Sequence, residues 1–318
     1  MENKNDIEML IHIARLYYEA SMSQEEIASA INVSRPTISR MLNKAKQKGY
    51  IRTVVIDPFD SIHSMKSELK ESFLLKDVII VQSLGVDSRV VKQRVGSAAA
   101  EYLTHIIKPN DIVGVAWGTT IYEIAKALPQ SELSSTTVVQ LGGILYNNKS
   151  DNYVFDVVHS FGTKLNSKVY YLYTPAIVPS VKIKQAFLFD NNIKRILDMG
   201  RKSNIALFGL GMPEKTSLIM QNGYISSDEF EKLYEANVVG DICSRFFDIN
   251  GRIVNNDLNS RTIGISLEDF INKEYAICAV SGKSRASGIY AALRAGYINV
   301  LITDEITAKE VLRIKDNR

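Results

Sequence analysis

The sequence predicts an α/β protein: a small N-terminal helix-turn-helix head followed by a Rossmann-like body whose sheet is mostly parallel. Three observations carry this reading. A capping box and a tight turn precede a basic amphipathic helix ending near Lys48. Beyond Pro58, apolar runs of strand length alternate with amphipathic runs of helix length, the pattern of parallel strands covered by helices. The chain has 318 residues, too many for one small domain but suited to a small unit plus a body of roughly 250 residues. The division is drawn at 1–57 and 58–318.

Composition narrows the class. With 46% hydrophobic and 23% charged residues the chain reads as an ordinary soluble globular protein. No run approaches the ~18 apolar residues of a membrane span, so no membrane partner is expected. Met1–Glu8 is polar and lacks a secretory pattern, which places the chain in the cytoplasm. Cys243 and Cys278 lie in apolar, strand-like surroundings and read as unpaired buried thiols. Neither they nor the four scattered histidines have ligand spacing, so no metal or cofactor is expected. The net charge of +3 is too small to hold nucleic acid by bulk attraction, and any such binding must come from a local cluster.

That cluster lies in the head. Residues 5–20 carry apolar positions (Ile7, Leu10, Ile13, Ala14, Leu16, Tyr17) suited to a bracing helix. Ser23 and Glu26 form a capping box opening a short helix with Gln24, Ile27 and Ala28, and Asn32-Val33 make a tight turn. A second helix follows from Ser34, whose hydroxyl is placed to cap it, with Pro36 in its first turn. Ile38, Met41, Leu42 and Ala45 form its apolar stripe, while Arg35, Thr37, Ser39, Arg40 and Lys44 lie on the other face. From Ser34 to Arg52 there are six Lys or Arg and no acid, for which phosphate is the natural counter-charge. A solvated basic face would look similar in isolation, but the capped helix and turn upstream complete a helix-turn-helix. The candidate DNA contacts are Gln24, Ser34, Arg35, Thr37, Ser39, Arg40 and Lys44. Gly49 is suited to stop this helix, and Tyr50–Ile56 reads as a wing strand interrupted by Asp57-Pro58.

A helical segment over 61–72 leads into the body. Strands are expected at 77–81, 112–116, 137–141, 168–173, 205–208, 275–280 and 299–303. Helices are expected at 89–107, 120–127, 153–165, 194–201, 227–236, 284–295 and 305–315. In such sheets ligands sit beyond the carboxyl ends of the strands. Trp117-Gly118-Thr119-Thr120 places a glycine and two hydroxyls at a helix start, either a phosphate cradle or a glycine turn with a threonine cap. Ser281-Gly282-Lys283-Ser284-Arg285 puts two cations at another helix start, unfavourable for the helix dipole unless an anion lies between them. Asp241 interrupts the apolar stretch 239–245 and needs a donor, which a sugar hydroxyl would supply. Gln140, Gly142 and Gly143 end the third body strand and could lend an amide side chain and bare backbone to the same crevice. No Walker A loop, GxGxxG fingerprint, Ser-His-Asp set or carboxylate pair occurs, and nothing specific points to a catalyst.

These segments resemble a known family. SMSQEEIASAINVSRPTISRMLNKAKQKGY is similar to the head of SorC-type bacterial transcriptional regulators. DIVGVAWGTTIYEIA, NIALFGLG, VGDICSRFFD and VSGKSRASGIYAAL resemble successive motifs of their sugar-phosphate-binding body. The similarity spans essentially the whole chain and is greatest to deoxyribonucleoside regulators. It implies a tetrameric repressor of a carbohydrate or nucleoside operon, released from its operator DNA by a phosphorylated sugar. The implied effector domain is related to sugar-phosphate isomerases that have lost catalysis. It also implies phosphate ligands at Gly118, Thr119, Thr120 and Arg285 and an acidic sugar contact at Asp241. One departure bears on the chemistry: the resembled regulators carry a Lys between the Leu and the paired Gly, whereas Leu141 here runs directly into Gly142. Such an amine could form a Schiff base with an aldehyde sugar, so covalent capture and deoxyribose 5-phosphate are both placed in question. Lys283 is no obvious substitute. An active isomerase with a DNA-binding appendage and an effector-dependent activator are the rival readings.

Overall fold

The structure, a computed structural model, describes residues 4–51, 61–83, 85–131, 135–145, 153–212, 214 and 217–318. The chain divides into two compact units, Met1–Asp60 and Ser61–Arg318. The wing strand expected over Tyr50–Ile56 falls outside the described residues from position 52 onward.

The first unit is a three-helix bundle: α1 (Lys4–Tyr18), α2 (Gln24–Ala30) and α3 (Arg35–Gln47). Ser23 and Glu26 close the capping box reciprocally, at 2.8 and 3.2 Å, which satisfies two orphan amides at the start of α2. Asn32 turns the chain at φ 55°, a left-handed conformation that asparagine tolerates well. Ile13, Ile27, Ala28, Ile38 and Leu42 bury their side chains against one another. Gly49 takes φ +76°, and the Tyr50 amide bonds the Ala45 carbonyl while the Gly49 amide bonds that of Lys46. This paired bonding is a Schellman motif, and it ends α3 where the glycine stands.

In the second unit α4 (Ser61–Ser72) leads to β1 (Asp77–Val81), α5 (Ser88–Ile106), β2 (Ile112–Val115), α6 (Thr119–Ala127) and β3 (Thr137–Gln140). Then follow α7 (Tyr153–Lys164), β4 (Lys168–Tyr170), α8 (Val181–Phe189), α9 (Asn191–Lys202) and β5 (Ile205–Phe208). Two helices, α10 (Leu218–Gln221) and α11 (Ser227–Glu235), precede the antiparallel hairpin β6 (Gly240–Ile242) and β7 (Arg245–Phe247). Short α12 (Asn256–Arg261) and α13 (Glu268–Ile271) lead to β8 (Tyr275–Ala279). A 3-10 turn at Lys283–Arg285 opens α14 (Ala286–Arg294), followed by β9 (Val300–Asp304) and α15 (Glu305–Asp316).

The sheet has seven parallel strands in the order β1-β9-β8-β5-β2-β3-β4. The chain leaves β2 outward through β3 and β4, and leaves β5 in the opposite direction through β8 and β9. The order therefore switches between β2 and β5, where a crevice opens at the carboxyl ends of open α/β sheets. All four residues of β5 are buried, because helices cover both faces of the sheet. Phe208 of β5 packs edge-on to Phe270 with ring centroids 4.6 Å apart. Phe208→Ala would cost about 3–5 kcal/mol, the usual loss for a truncated core aromatic.

The apolar stretch around Asp241 forms a small hairpin outside the main sheet, turning through Cys243 and Ser244 at φ 51° and 63°. The helices α8, α10, α12 and α13 have no counterpart in the sequence reading. Cys243 and Cys278 are both outside any disulfide.

Candidate functional site

The carboxyl ends of β2, β5 and β8 converge on a cavity of about 390 Å³. Gly118, Thr119 and Thr120 enter it from the start of α6. Gly118 adopts φ +152°, open chiefly to glycine, and as the cap residue it brings no side chain over the first amides of α6. Such a helix start offers oriented N–H groups and a partial positive charge to an anion. Arg285 reaches the cavity from the turn after β8, its Nη1 donating to the Ser281 carbonyl at 3.4 Å. Lys92 of α5 completes the cationic end. Burial, and next the charge of Arg285, hold its ammonium below the usual lysine range. An anion between the two cations would offset both effects, adding to the opposing charge of Glu123.

Asp241 lies on the hairpin and also lines the cavity. It bridges to Gly211 after β5, with backbone bonds of 2.9 and 3.0 Å. A Cβ on Gly211 would come within 2.0 Å of the Asp241 Oδ1, so only glycine admits the carboxylate there. Burial pushes the Asp241 carboxyl up to about 6, against the opposing pull of the Ser244 amide, 3.1 Å away, and of Arg285. The Cys243 thiol beside it is pushed up to about 12 by the same burial and by the Asp241 charge. It is an inert wall rather than a nucleophile at neutral pH. Trp117 and Ile219 add apolar surface. The cavity thus has a cationic end at α6 and a carboxylate end at the hairpin, with apolar walls between them.

Five expected effector residues are placed elsewhere. Lys283 turns out to solvent and pairs with Glu310 of α15 at 3.6 Å. Positions two apart point to different sides of a helical turn, so Arg285 enters the cavity and Lys283 leaves it. The Gly282 amide is already donated to Asp304 and Thr307, at 3.1 and 2.9 Å. Gln140 is buried, and its side chain straps Gly142 O at 2.7 Å to the Leu172 amide at 3.2 Å. Gly142 pairs with Gly264, and Gly143 lies so close to Pro175 that a Cβ would sit 2.3 Å from its carbonyl oxygen. These two glycines permit close backbone crossing. Lys92 and Gly211, conversely, are absent from the sequence reading. A lysine on the α5 face shared by Val91, Val95 and Gly96 is the one local signal for the first.

In the head, Ser34 caps α3 without the expected bond to an amide; its hydroxyl instead meets that of Thr37 at 2.8 Å. Arg35 pairs with Glu25 at 3.0 Å, both side chains largely exposed, a surface contact that DNA phosphate can replace at little cost. Arg40 and Lys44 are exposed, while Gln24, Thr37 and Ser39 are partly buried. Among the described residues no cluster suits a metal ion, and no helix is long and apolar enough to cross a membrane.

Comparison with known proteins gives this geometry its family. The sugar-binding domain model Sugar-bind matches residues 57–313, and a Crp-like helix-turn-helix domain matches residues 8–57. The full-length crystal structure of the sorbitol operon regulator SorC from Klebsiella pneumoniae superposes with a TM-score of 0.81 at 28% identity, covering 98% of this chain and 100% of that one. The chain belongs to the SorC-type transcriptional regulators. The deoxyribonucleoside regulator of Bacillus subtilis (strain 168) is 37% identical to this SorC-type regulator, over 96% of this chain and 97% of its own. The erythritol catabolism regulatory protein EryD of Brucella abortus (strain 2308) is 23% identical over 96% of this chain. The SorC-type regulator is accordingly a DNA-binding, sugar-responsive regulator of transcription and not an enzyme.

Proposed function

We propose that this SorC-type regulator represses a sugar or nucleoside operon and is released from its operator when a phosphorylated sugar enters the cavity between β2, β5 and β8. The observation that carries the reading is the pairing of Lys92 with Arg285 beside the glycine-capped start of α6, three positive features facing one polar volume. A phosphate there neutralises the cations and meets the amides of Thr119 and Thr120. The sugar then extends toward Asp241, whose carboxylate can accept from hydroxyls. A homo-tetramer assembled through the body presents paired heads to paired half-sites.

The ligand releases the protein only through a difference in affinity between its DNA-bound and released arrangements. Thr119→Val combined with Arg285→Ala is therefore expected to abolish the response to sugar phosphates while leaving operator affinity intact. The test is a panel of pentose and hexose phosphates, first by thermal shift and then by operator titration. Release of the double variant at wild-type effector concentrations would sink the assignment.

A further inference from the structure

A second cavity of about 380 Å³ lies away from the effector crevice, on the other side of the Asp241 hairpin. Its walls hold Lys184 of α8, Arg201 of α9 and Arg245 of β7, with Asn259 and Ser260 of α12 and Asp269 of α13. The acids near it are engaged: Asp198 binds Arg201 at 2.5 Å, and Asp269 accepts from the Ser266 amide at 2.7 Å. Arg245 is buried and spends most of its donors on structure. It bonds the carbonyls of Ile265, Gly264 and Asn259 at 2.7, 3.0 and 3.2 Å, and also the Asn259 side chain. One of its five N–H groups is left over. Lys184 is half-buried and makes no side-chain hydrogen bond or ion pair among the described residues. Its ammonium is held down to about 8, first by burial and then by Arg245 and Arg201, with no carboxylate acting in the other direction.

We propose that this cavity is a second oxyanion site, taking a phosphate group between Lys184, Arg201 and the remaining N–H of Arg245. Arg201 keeps Asp198 and Arg245 has Glu268 and Asp269 nearby, but Lys184 faces the same volume with no ion pair of its own among the described residues, and a dianion there supplies the counter-charge it lacks. Asn259 and Ser260 add neutral polar groups for its remaining oxygens. The site is linked to the effector cavity by the hairpin itself. Arg245 stands opposite Ile242 in its register, one residue from Asp241, so occupancy on one side braces the carboxylate on the other.

The test is equilibrium dialysis of the full-length protein with radiolabelled inorganic phosphate at fixed ionic strength. The wild type should take up two phosphates per chain, and the Thr119→Val, Arg285→Ala variant one. In that background Lys184→Gln should weaken the remaining phosphate roughly tenfold or more, and Lys184→Arg should retain it. A repeat with a sugar phosphate in the same background separates the two sources: displacement of the label assigns the site to a second effector molecule, and no displacement to free phosphate. Uptake of no phosphate by the Thr119→Val, Arg285→Ala protein overturns the proposal, as does Lys184→Gln binding as tightly as its parent. Failure of the effector reading instead leaves the Lys184-dependent phosphate in place in every variant that keeps Lys184, so the two failures are distinguishable. Circular dichroism of each variant confirms that a lost phosphate is not a lost fold.

Discussion

At Asp241 the hairpin holds a buried carboxyl under Gly211 with the Ser244 amide for support, so the charged form is under-solvated. Its folded-state value of about 6 lies above its ordinary 3.8, so between those values the folded chain keeps a proton that the unfolded chain has released. This contribution to stability is present at low pH and declines as pH rises through that window. Asp241→Asn should flatten the decline, measured as thermal unfolding across about pH 4 to 7. Lys92 makes a second prediction. Burial and Arg285 lower its pKa, a bound phosphate opposes that shift and favours the protonated amine, and a protonated amine is no nucleophile. Borohydride added with a bound sugar phosphate should leave the mass unchanged; a stable adduct on Lys92 in the digested protein would contradict this. Gly118, Thr119, Thr120, Asp241 and Arg285 could be singled out in the sequence because each belongs to a local pattern, a glycine turn at a helix start or a charge in an apolar run. Gly211 could not, since its need for a bare Cα arises from a neighbour thirty positions away, and Lys283 was misassigned because two cations close in sequence at a helix start do not share one side of the turn.

Among the elements, α3 has the clearest division of labour. Its Ile38, Leu42 and Ala45 face is buried, its C-terminus is closed by Gly49, and its basic side meets the bundle through exposed contacts such as Arg35 with Glu25 and Lys46, 5.8 Å above the Tyr18 ring. Arg40 has only weak bonds to its own helix, at 3.4 and 3.5 Å, and can exchange them for DNA. Arg40→Ala should weaken operator binding by about 1–3 kcal/mol without changing the melting temperature, as read by fluorescence anisotropy and calorimetry. The seven sheet strands and their longer helices were legible to within a few residues, because strands buried on both faces and helices with one buried face have distinct periods. The helix α8 was not. Its sequence VKIKQAFLF shows no single apolar face, and in the monomer none of its residues is buried.

For the whole molecule, that same helix bears on assembly. Val181, Ile183 and Phe189 are exposed, the last by 86%, an apolar surface that a second copy of the chain would cover. Phe189→Asp is expected to lower the oligomeric mass of the full-length protein in light scattering at micromolar concentration while leaving its circular dichroism unchanged. A wild-type mass for this variant would move the interface elsewhere. The body also joins its cavity to its first helix through α15. Glu310 holds Lys283 in the turn that carries Arg285, and five residues along the same helix Lys315 holds Glu68 of α4. Movement of that turn therefore reaches the helix that follows the head in sequence without passing through the sheet.

The two ends of the effector cavity have different mechanical footing. The cationic end is built on sheet-to-helix junctions that cannot shift without unpacking the core. The carboxylate end belongs to a two-strand hairpin outside the hydrogen-bonded ladder of the sheet, bridged to Gly211 and packed into the core through Ile242 and Phe247. On the proposed reading, grip on the phosphate and choice of sugar fall to different elements: α6 and the turn after β8 face the anion, and Asp241 of the hairpin faces the sugar.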